Sequence, residues 1–246
     1  MSEHLDLRTR IGRETVDRRA VLAWEAGRAR RVLRQLGGRA RPTDDVDELR
    51  ERLLALKEDI GPAELERRLT GRLRASTLVS RALTAGSGPA RAASSIRIRV
   101  PGGRATHLVD WFGTQFALPS SPAMLAACPD HYLIGDEPDG RQKVIETTGG
   151  SPLPARFRIR YGDLTGLRMT ADPSYPLQMA GVARDDAGTP IGGVRHQFRD
   201  VGDGFEAWLT VEFPRLTPGH MIRRHRWHLA CEFGNWIEFA ARDTSQ

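Results

Sequence analysis

Near the C-terminal end of the chain the spacing of apolar residues changes, and this change constrains the fold more than any other feature. Between Phe205 and Phe213 every second residue is apolar, which is the period of a half-buried strand. After Pro214 and Pro218, apolar residues recur at helical spacing over residues 219–242, which indicates an amphipathic helix. A strand followed by a long helix predicts a sheet that packs against its own C-terminal helix.

Further strands are predicted upstream, over residues 94–100, 143–148, 156–161, 177–184 and 194–201. Turn-forming pairs such as Asp139-Gly140 and Asp203-Gly204 separate several of them at hairpin-like intervals, which favours antiparallel pairing. We therefore predict an α+β domain over residues 91–246, in which a curved antiparallel sheet closes around the C-terminal helix. Such a domain would enclose a pocket for a small hydrophobic or aromatic molecule.

Residues 1–90 read as a helical N-terminal extension. Three helices are predicted, over about 15–36, from Asp44-Asp45 onwards, and from Pro62 towards Gly86. Residues 1–85 hold 19 basic and 14 acidic residues, a net of +5 out of +6 for the whole chain. Because the two signs are interleaved, the charge favours solvated, ion-paired helices over a nucleic-acid surface. The sequence leaves open whether these helices cover the pocket or pair with a second copy in a homodimer.

Composition excludes several classes of protein. No run approaches 18 apolar residues, so no membrane span is predicted, and the N-terminal residues lack the apolar segment of a signal peptide. Two cysteines, Cys128 and Cys231, are too few for a disulfide framework, which favours a reducing cytoplasm.

The sharpest chemical signal is the pair His228-x-x-x-Glu232. One helical turn separates the two residues, so both can bind one metal ion from the same helix face. Further ligands would come from His131, in the segment Cys128-Pro-Asp-His131, and from Glu146 in a β-branched strand. Read alone, the His–Glu pair is more typical of an exposed helix, and Glu146 is equally typical of an outward-facing strand residue.

Other chemistries have weaker support. Cys128 and His131 have the spacing of a thiolate–imidazole ligand pair, but Cys231 lies about 100° around the helix from Glu232 and is expected to face the sheet. Cysteine ligation therefore ranks below ligation by histidine and glutamate. No Gly-x-Ser-x-Gly motif is present to support a serine hydrolase.

Three segments resemble the 2,4-diacetylphloroglucinol/phloretin hydrolase family: VPGGRATHLVDWFGTQF at 100–116, the Pro-acidic-His segment at 128–134, and HLACEFGNW at 228–236. The third is the most specific. The resemblance covers roughly residues 95–240 and implies a helix-grip fold, like that of the major birch-pollen allergen. It also implies a metal-dependent enzyme that hydrolyses a carbon–carbon bond between an acyl group and a phenolic ring.

The resemblance implies four zinc ligands: His131, Glu146, His228 and Glu232. We place four further residues at the substrate pocket: Trp111, Ala123, Ile134 and Asn235. Two of these depart from the family, which has a substrate-contacting Tyr where this chain has Ala123 and an Asn where it has Ile134. The substrate is therefore expected to differ from a simple acylphloroglucinol.

The implied reaction is a retro-Claisen hydrolysis, with zinc-activated water, Glu146 or Glu232 as the residue that tunes the metal and His225 as a candidate proton shuttle. The position of His225 between Arg224 and Arg226 is more typical of a surface residue. A competing hypothesis is a helix-grip binding protein, or a cyclase that folds a polyketide-like substrate without hydrolysis. The missing Tyr and Asn favour this alternative, whereas a complete set of metal ligands favours the hydrolase.

Overall fold

A computed structural model describes residues 4–118 and 120–244. Within these residues nine strands form one antiparallel sheet, in the order β2-β1-β3-β9-β8-β7-β6-β5-β4. The strands are β1 (Arg8–Ile11), β2 (Glu14–Asp17), β3 (Arg91–Val100), β4 (His131–Asp136), β5 (Gln142–Glu146), β6 (Ala155–Tyr161), β7 (Leu177–Arg184), β8 (Pro190–Val201) and β9 (Gly204–Pro214).

The helices of the described residues are α1 (Arg18–Gln35), α2 (Val46–Ile60), α3 (Pro62–Ser87), α4 (Ala105–Phe116), α5 (Pro122–Ala126) and α6 (Gly219–Asp243). The fold is thus mixed α and β, with a large antiparallel sheet and a long C-terminal helix, as the change of period predicted. None of the described helices is both long enough and apolar enough to cross a membrane.

The sheet is larger than the sequence predicted, because β1, β2 and β4 were not expected. Residues 15–17, which were predicted to be helical, belong to β2, and residues 91–93 open β3. In β1 only Thr9 is buried, and it lies opposite Ile98 of β3. A four-residue strand with one inward-facing Thr has too short an apolar pattern to be recognised.

Helix boundaries follow local chemistry. Asp45 forms a capping box with Glu48 at the start of α2, in which each side chain accepts from the other residue's backbone amide. Gly61, with φ of 77°, ends α2, and Pro62 occupies the first turn of α3. The second and third helices therefore begin where the sequence predicted.

The main core lies between α6, α4 and the sheet, where Ile98 and Leu209 pack with Leu229 and Phe233. A second core lies under α1, α2 and α3, and it includes Tyr132 of β4 and Ile145 of β5. A β-bulge between His131 and Leu133 lets Leu133 as well as Tyr132 pack against this second core. At the ends of the two strands, His131 and Glu146 lie beside His228 of α6 instead.

Candidate metal centre

His131 and Glu146 meet across two neighbouring strands. His131 opens β4, Glu146 closes β5, and the two residues are paired directly in the ladder. His131 Nε2 lies 3.8 Å from Glu146 Oε2. Strand register therefore brings together two residues that are 15 positions apart in the chain.

Helix α6 supplies His228 and Glu232 from one turn, with Nε2 and Oε2 3.5 Å apart. Both reach His131 Nε2, at 3.3 Å from His228 Nε2 and 3.1 Å from Glu232 Oε2. His228 Nε2 also lies 3.6 Å from Glu146 Oε2. We call these four residues the His/Glu cluster.

All four side chains of the His/Glu cluster are buried, with exposed fractions of 0% for His131, 9% for Glu146, 1% for His228 and 8% for Glu232. The expectation of a surface His–Glu pair on the helix is therefore wrong. Of the two alternatives for Glu146, the outward-facing one is wrong, because its carboxylate is buried beside His131 and His228.

The donor atoms of the His/Glu cluster require a cation or a proton among them. The Nδ1 atom of His131 lies 3.1 Å from the carbonyl oxygen of Met124, to which it donates a hydrogen bond. In the neutral ring this leaves the Nε2 lone pair directed at the carboxylate of Glu232, which is also an acceptor. Two imidazole nitrogens and two carboxylates that converge in this way fit the donor set of a divalent metal ion.

Burial affects the two glutamates differently. Burial raises the pKa of Glu146, and it outweighs the attraction of His228 and His131. Burial also opposes ionisation of Glu232, but the charge of His228, with a smaller contribution from His131, holds the pKa of Glu232 below its usual range. Without a metal, the pair therefore holds one carboxylate that ionises easily and one that resists ionisation.

Cys128, His131 and His228 also form a buried group that could hold a metal ion. Cys128 Sγ lies 3.6 Å from Nδ1 of His228, whereas the carboxylates face Nε2 of the same ring. Burial raises the pKa of the Cys128 thiol well above its usual value, which keeps the sulfur protonated. Cys231 packs in the main core, as predicted for a small apolar residue, but its thiol is directed at the Ala127 carbonyl after α5, whereas it was expected to face the sheet.

A cavity of about 390 Å³ opens beside Glu146 and Glu232. Apolar residues dominate its walls: Val144, Phe157, Met179, Val211, Phe233 and Trp236 from the sheet and α6. Val79 and Leu83 of α3 close another side, so the N-terminal helices contribute to the cavity. This size and lining suit a small apolar or aromatic molecule.

His225 is buried and lines this cavity, so the expectation of a surface residue is wrong. Its ring stacks on that of His228, at 5.4 Å between centroids, and its Nδ1 has no hydrogen-bond partner among the described residues. Burial, with a smaller contribution from His228, lowers the pKa of His225 to about 3. The imidazole is therefore neutral at pH 7.

His196 of β8 is a site residue that sequence reasoning missed. It lines the same cavity, packs edge-on against Phe233 at 4.7 Å, and has an unpartnered Nδ1 in the described structure. Burial lowers the pKa of His196 to about 4. The only available signal was a histidine within the predicted strand 194–201. Whether the His196 side chain points into the cavity depends on which face of the sheet it occupies, and the sequence does not determine that face.

Of the residues predicted to line the substrate pocket, Ile134 lines the cavity and the other three lie elsewhere. Trp111 donates a hydrogen bond from Nε1 to Asp243 at 2.7 Å, and Ala123 packs at the edge of the main core. Asn235 is completely buried on another face of α6.

Asn235 belongs to a second buried polar group, the arginine cluster, formed by Arg18, Glu25, Arg50, Asn235 and Glu238. Arg50 Nε donates to Glu25 at 2.8 Å, and Arg18 Nη2 donates to Glu238 at 2.8 Å. Asn235 accepts from Arg50 at 3.0 Å and donates to Glu25 at 3.0 Å. This cluster joins α1 and α2 to α6, and each carboxylate in it is bonded to an arginine.

A scan against models of known protein families gives no match for this chain, and a search of curated proteins finds no similar sequence. What this chain can do chemically is therefore indicated by the residues of the site.

Proposed function

We propose that this protein is a zinc-dependent hydrolase with a helix-grip fold, which cleaves a carbon–carbon bond between an acyl group and an electron-rich phenolic or polyketide-like ring. The observation that carries the proposal is the convergence of the His/Glu cluster. Five distances from its imidazole nitrogens to each other and to the carboxylate oxygens run from 3.1 to 3.8 Å. Ligands bound tetrahedrally to zinc at its usual bond lengths lie about 3.3 Å apart.

Zinc is the metal that this donor set favours. Two imidazoles and two carboxylates are ordinary zinc ligands, and the cluster lies at a cavity where a substrate can reach it. Bound zinc would lower the pKa of a water molecule and polarise an acyl carbonyl. The site would be held by His131, Glu146, His228 and Glu232.

Two neutral histidines in the cavity supply polar contacts to the substrate. His196 and His225 are uncharged at pH 7, and the unpartnered Nδ1 of each can donate or accept a hydrogen bond. A neutral imidazole N–H that donates to a phenolic oxygen stabilises the charge that develops there when the ring leaves. The apolar walls exclude water and strengthen such a hydrogen bond.

A second candidate function is a carrier or cyclase for a polyketide-like molecule. The observation that favours it is Ile134, which places an apolar side chain in the cavity where the family resemblance implies a polar one. Ala123 lies outside the cavity lining and offers no hydroxyl there. Two free, buried cysteines support a reducing cytoplasm as the location for either function.

Elemental analysis of protein purified without added zinc tests the proposal. We expect about one zinc per chain, lost in His228→Ala and retained in His107→Ala, whose exposed imidazole on α4 lies outside the cavity. A panel of acylated phenols would then be tested for release of the carboxylic acid and the free phenol. The hydrolase proposal would be contradicted by folded protein that binds no zinc and cleaves none of these phenols. If that protein still binds apolar molecules, the result would support the carrier function.

A further inference from the structure

A third buried carboxylate lies behind the His/Glu cluster. Asp130 is completely buried, and it directly precedes His131. Arg28 of α1 binds both of its oxygens, with Nη2 2.5 Å from Oδ1 and Nε 3.2 Å from Oδ2. This contact reaches from the N-terminal helices to the chain segment that carries the first metal ligand.

Asp130 also joins the two strand segments of the site. The hydroxyl of Thr147, which follows Glu146, donates to Asp130 Oδ1 at 2.5 Å, and the Thr147 amide donates to the Asp130 carbonyl at 3.0 Å. Thr147, which follows the predicted ligand Glu146, therefore makes two hydrogen bonds to Asp130, which precedes the predicted ligand His131. Movement of Asp130 would displace both His131 and Glu146.

The same carboxylate faces the outer nitrogen of a third ligand. Asp130 Oδ2 lies 4.0 Å from Nδ1 of His228, the ring nitrogen directed away from Glu146 and Glu232. Cys128 Sγ is nearer to that nitrogen, at 3.6 Å, but sulfur is the weaker acceptor. In metal sites a carboxylate at the outer nitrogen of a ligating histidine fixes the orientation of its ring.

The loop after β5 packs directly against the guanidinium of Arg28. A Cβ added to Gly150 would lie 2.6 Å from the guanidinium of Arg28, and one added to Gly149 would lie 2.5 Å from the backbone of Arg224 in α6. Both glycines have positive φ, of 80° and 54°. The loop is therefore wedged between α1 and α6, with the Arg28–Asp130 pair at its base.

We propose that Arg28 and Asp130 are positioning residues of the metal centre, so that helix α1 sets how tightly the His/Glu cluster binds its metal. The inference rests on the zinc assignment proposed above. The arginine neutralises the buried carboxylate and fixes its direction. Through Thr147 the carboxylate ties the segment of His131 to that of Glu146, and it places a negative charge 4.0 Å from the outer nitrogen of His228. The N-terminal helices are then part of the site as well as a cover for the cavity.

Zinc affinity, measured by competition with a chromogenic chelator at fixed pH, tests this role. We expect Arg28→Met and Asp130→Asn to bind zinc about 10- to 100-fold more weakly than the natural chain. Arg28→Lys is expected to recover part of the loss, because it restores the charge but not the two-pronged contact. The absorption spectrum of the cobalt-substituted protein should also change in Asp130→Asn, which a purely structural contact would leave unaltered.

Arg18→Met is the matched control, since Arg18 also lies on α1 and pairs with a buried carboxylate of α6. It should lower stability without changing zinc affinity. Natural protein that binds zinc, with Arg28→Met and Asp130→Asn binding it equally tightly, would overturn the positioning role alone. Natural protein that binds no zinc would overturn both this inference and the proposed function. Thr147→Val, which removes one hydroxyl, provides a weaker version of the test if Arg28→Met does not fold.

Discussion

The His/Glu cluster and the arginine cluster lie on the same helix, and they differ in how their charges are balanced. In the arginine cluster, Glu25 and Glu238 each accept hydrogen bonds from an arginine. In the His/Glu cluster, Glu146 and Glu232 face imidazole nitrogens. Both clusters are buried, and they are close together, since Glu232 of one and Asn235 of the other are three residues apart on α6.

The difference separates a structural polar cluster from a ligand-binding one. Buried charges that are paired and hydrogen-bonded are complete without any further group. Converging lone pairs of nitrogen and oxygen are incomplete until a proton or a metal ion lies among them. The comparison therefore predicts opposite responses to substitution in the two clusters.

The largest effect is expected in the arginine cluster. Arg50→Met leaves Glu25 buried without its charged partner, and breaking a buried pair in this way costs about 3–5 kcal/mol of unfolding free energy. Urea denaturation at pH 7 measures the loss. Arg68→Met is the control on the neighbouring helix α3, because its side chain is 46% exposed and its pair with Glu64 lies at the surface, where an ion pair adds little stability. Equal losses in the two variants would show that the cluster is not the paired structure described.

Lys57 sharpens the comparison, because it is a buried cation whose hydrogen bond goes to a carbonyl oxygen, that of Pro129. Burial lowers the pKa of Lys57 to about 8, from an ordinary value of 10.5. Between these two values the unfolded chain binds more protons than the folded one, so stability rises with pH in this window. Burying the charged ammonium group costs about 3 kcal/mol of unfolding free energy. This cost is fully present below pH 8, and it is relieved towards pH 10.5 as the folded protein holds the lysine neutral.

Denaturation of the natural chain and of Lys57→Met across this pH range isolates the effect of Lys57. The natural chain should gain about 3 kcal/mol relative to the variant between pH 8 and 10.5. Parallel stability curves for the two proteins would contradict a neutralised, buried lysine.

The smallest effect is expected in the His/Glu cluster without metal. Burial holds the pKa of Glu146 above its unfolded value, so at pH 7 the folded state bears the cost of the charge. Glu146→Gln should therefore stabilise the metal-free protein, by about 1 kcal/mol, and remove the stabilisation by added zinc. Thermal unfolding with chelator measures the stability of the metal-free protein, and thermal unfolding with excess zinc measures the stabilisation by the metal. A metal-free Glu146→Gln protein that is less stable than the natural chain would place Glu146 among the structural residues.

Local pattern was enough to predict much of this fold. The alternation in β9 and the helical spacing in α6 depend on backbone periods of two and 3.6 residues, which neighbouring residues reveal. The capping residue Asp45 and Pro62 likewise act within one turn of the chain. By contrast, β1 contains one buried residue, Thr9, and it exists because β3 offers a partner 85 or more residues away.

The site divides in the same way. His228 and Glu232 share a helix face by spacing alone, so the sequence determined that half of the cluster. The pairing of His131 with Glu146 depends on the register of β4 and β5, and the approach of both to α6 depends on how the sheet packs. His196 and His225 could not be assigned to a cavity from their neighbours, because burial is a property of the packed molecule.

The sequence by itself determined six of the nine described strands, the long C-terminal helix and the residue types that can bind a metal, since these follow from short-range periodicity and side-chain chemistry. Only the tertiary structure decided that donors about 100 residues apart meet within 4 Å and that Arg28 of α1 reaches Asp130. The physical reason is that such contacts are fixed by strand register and close packing, which no local segment of the chain contains.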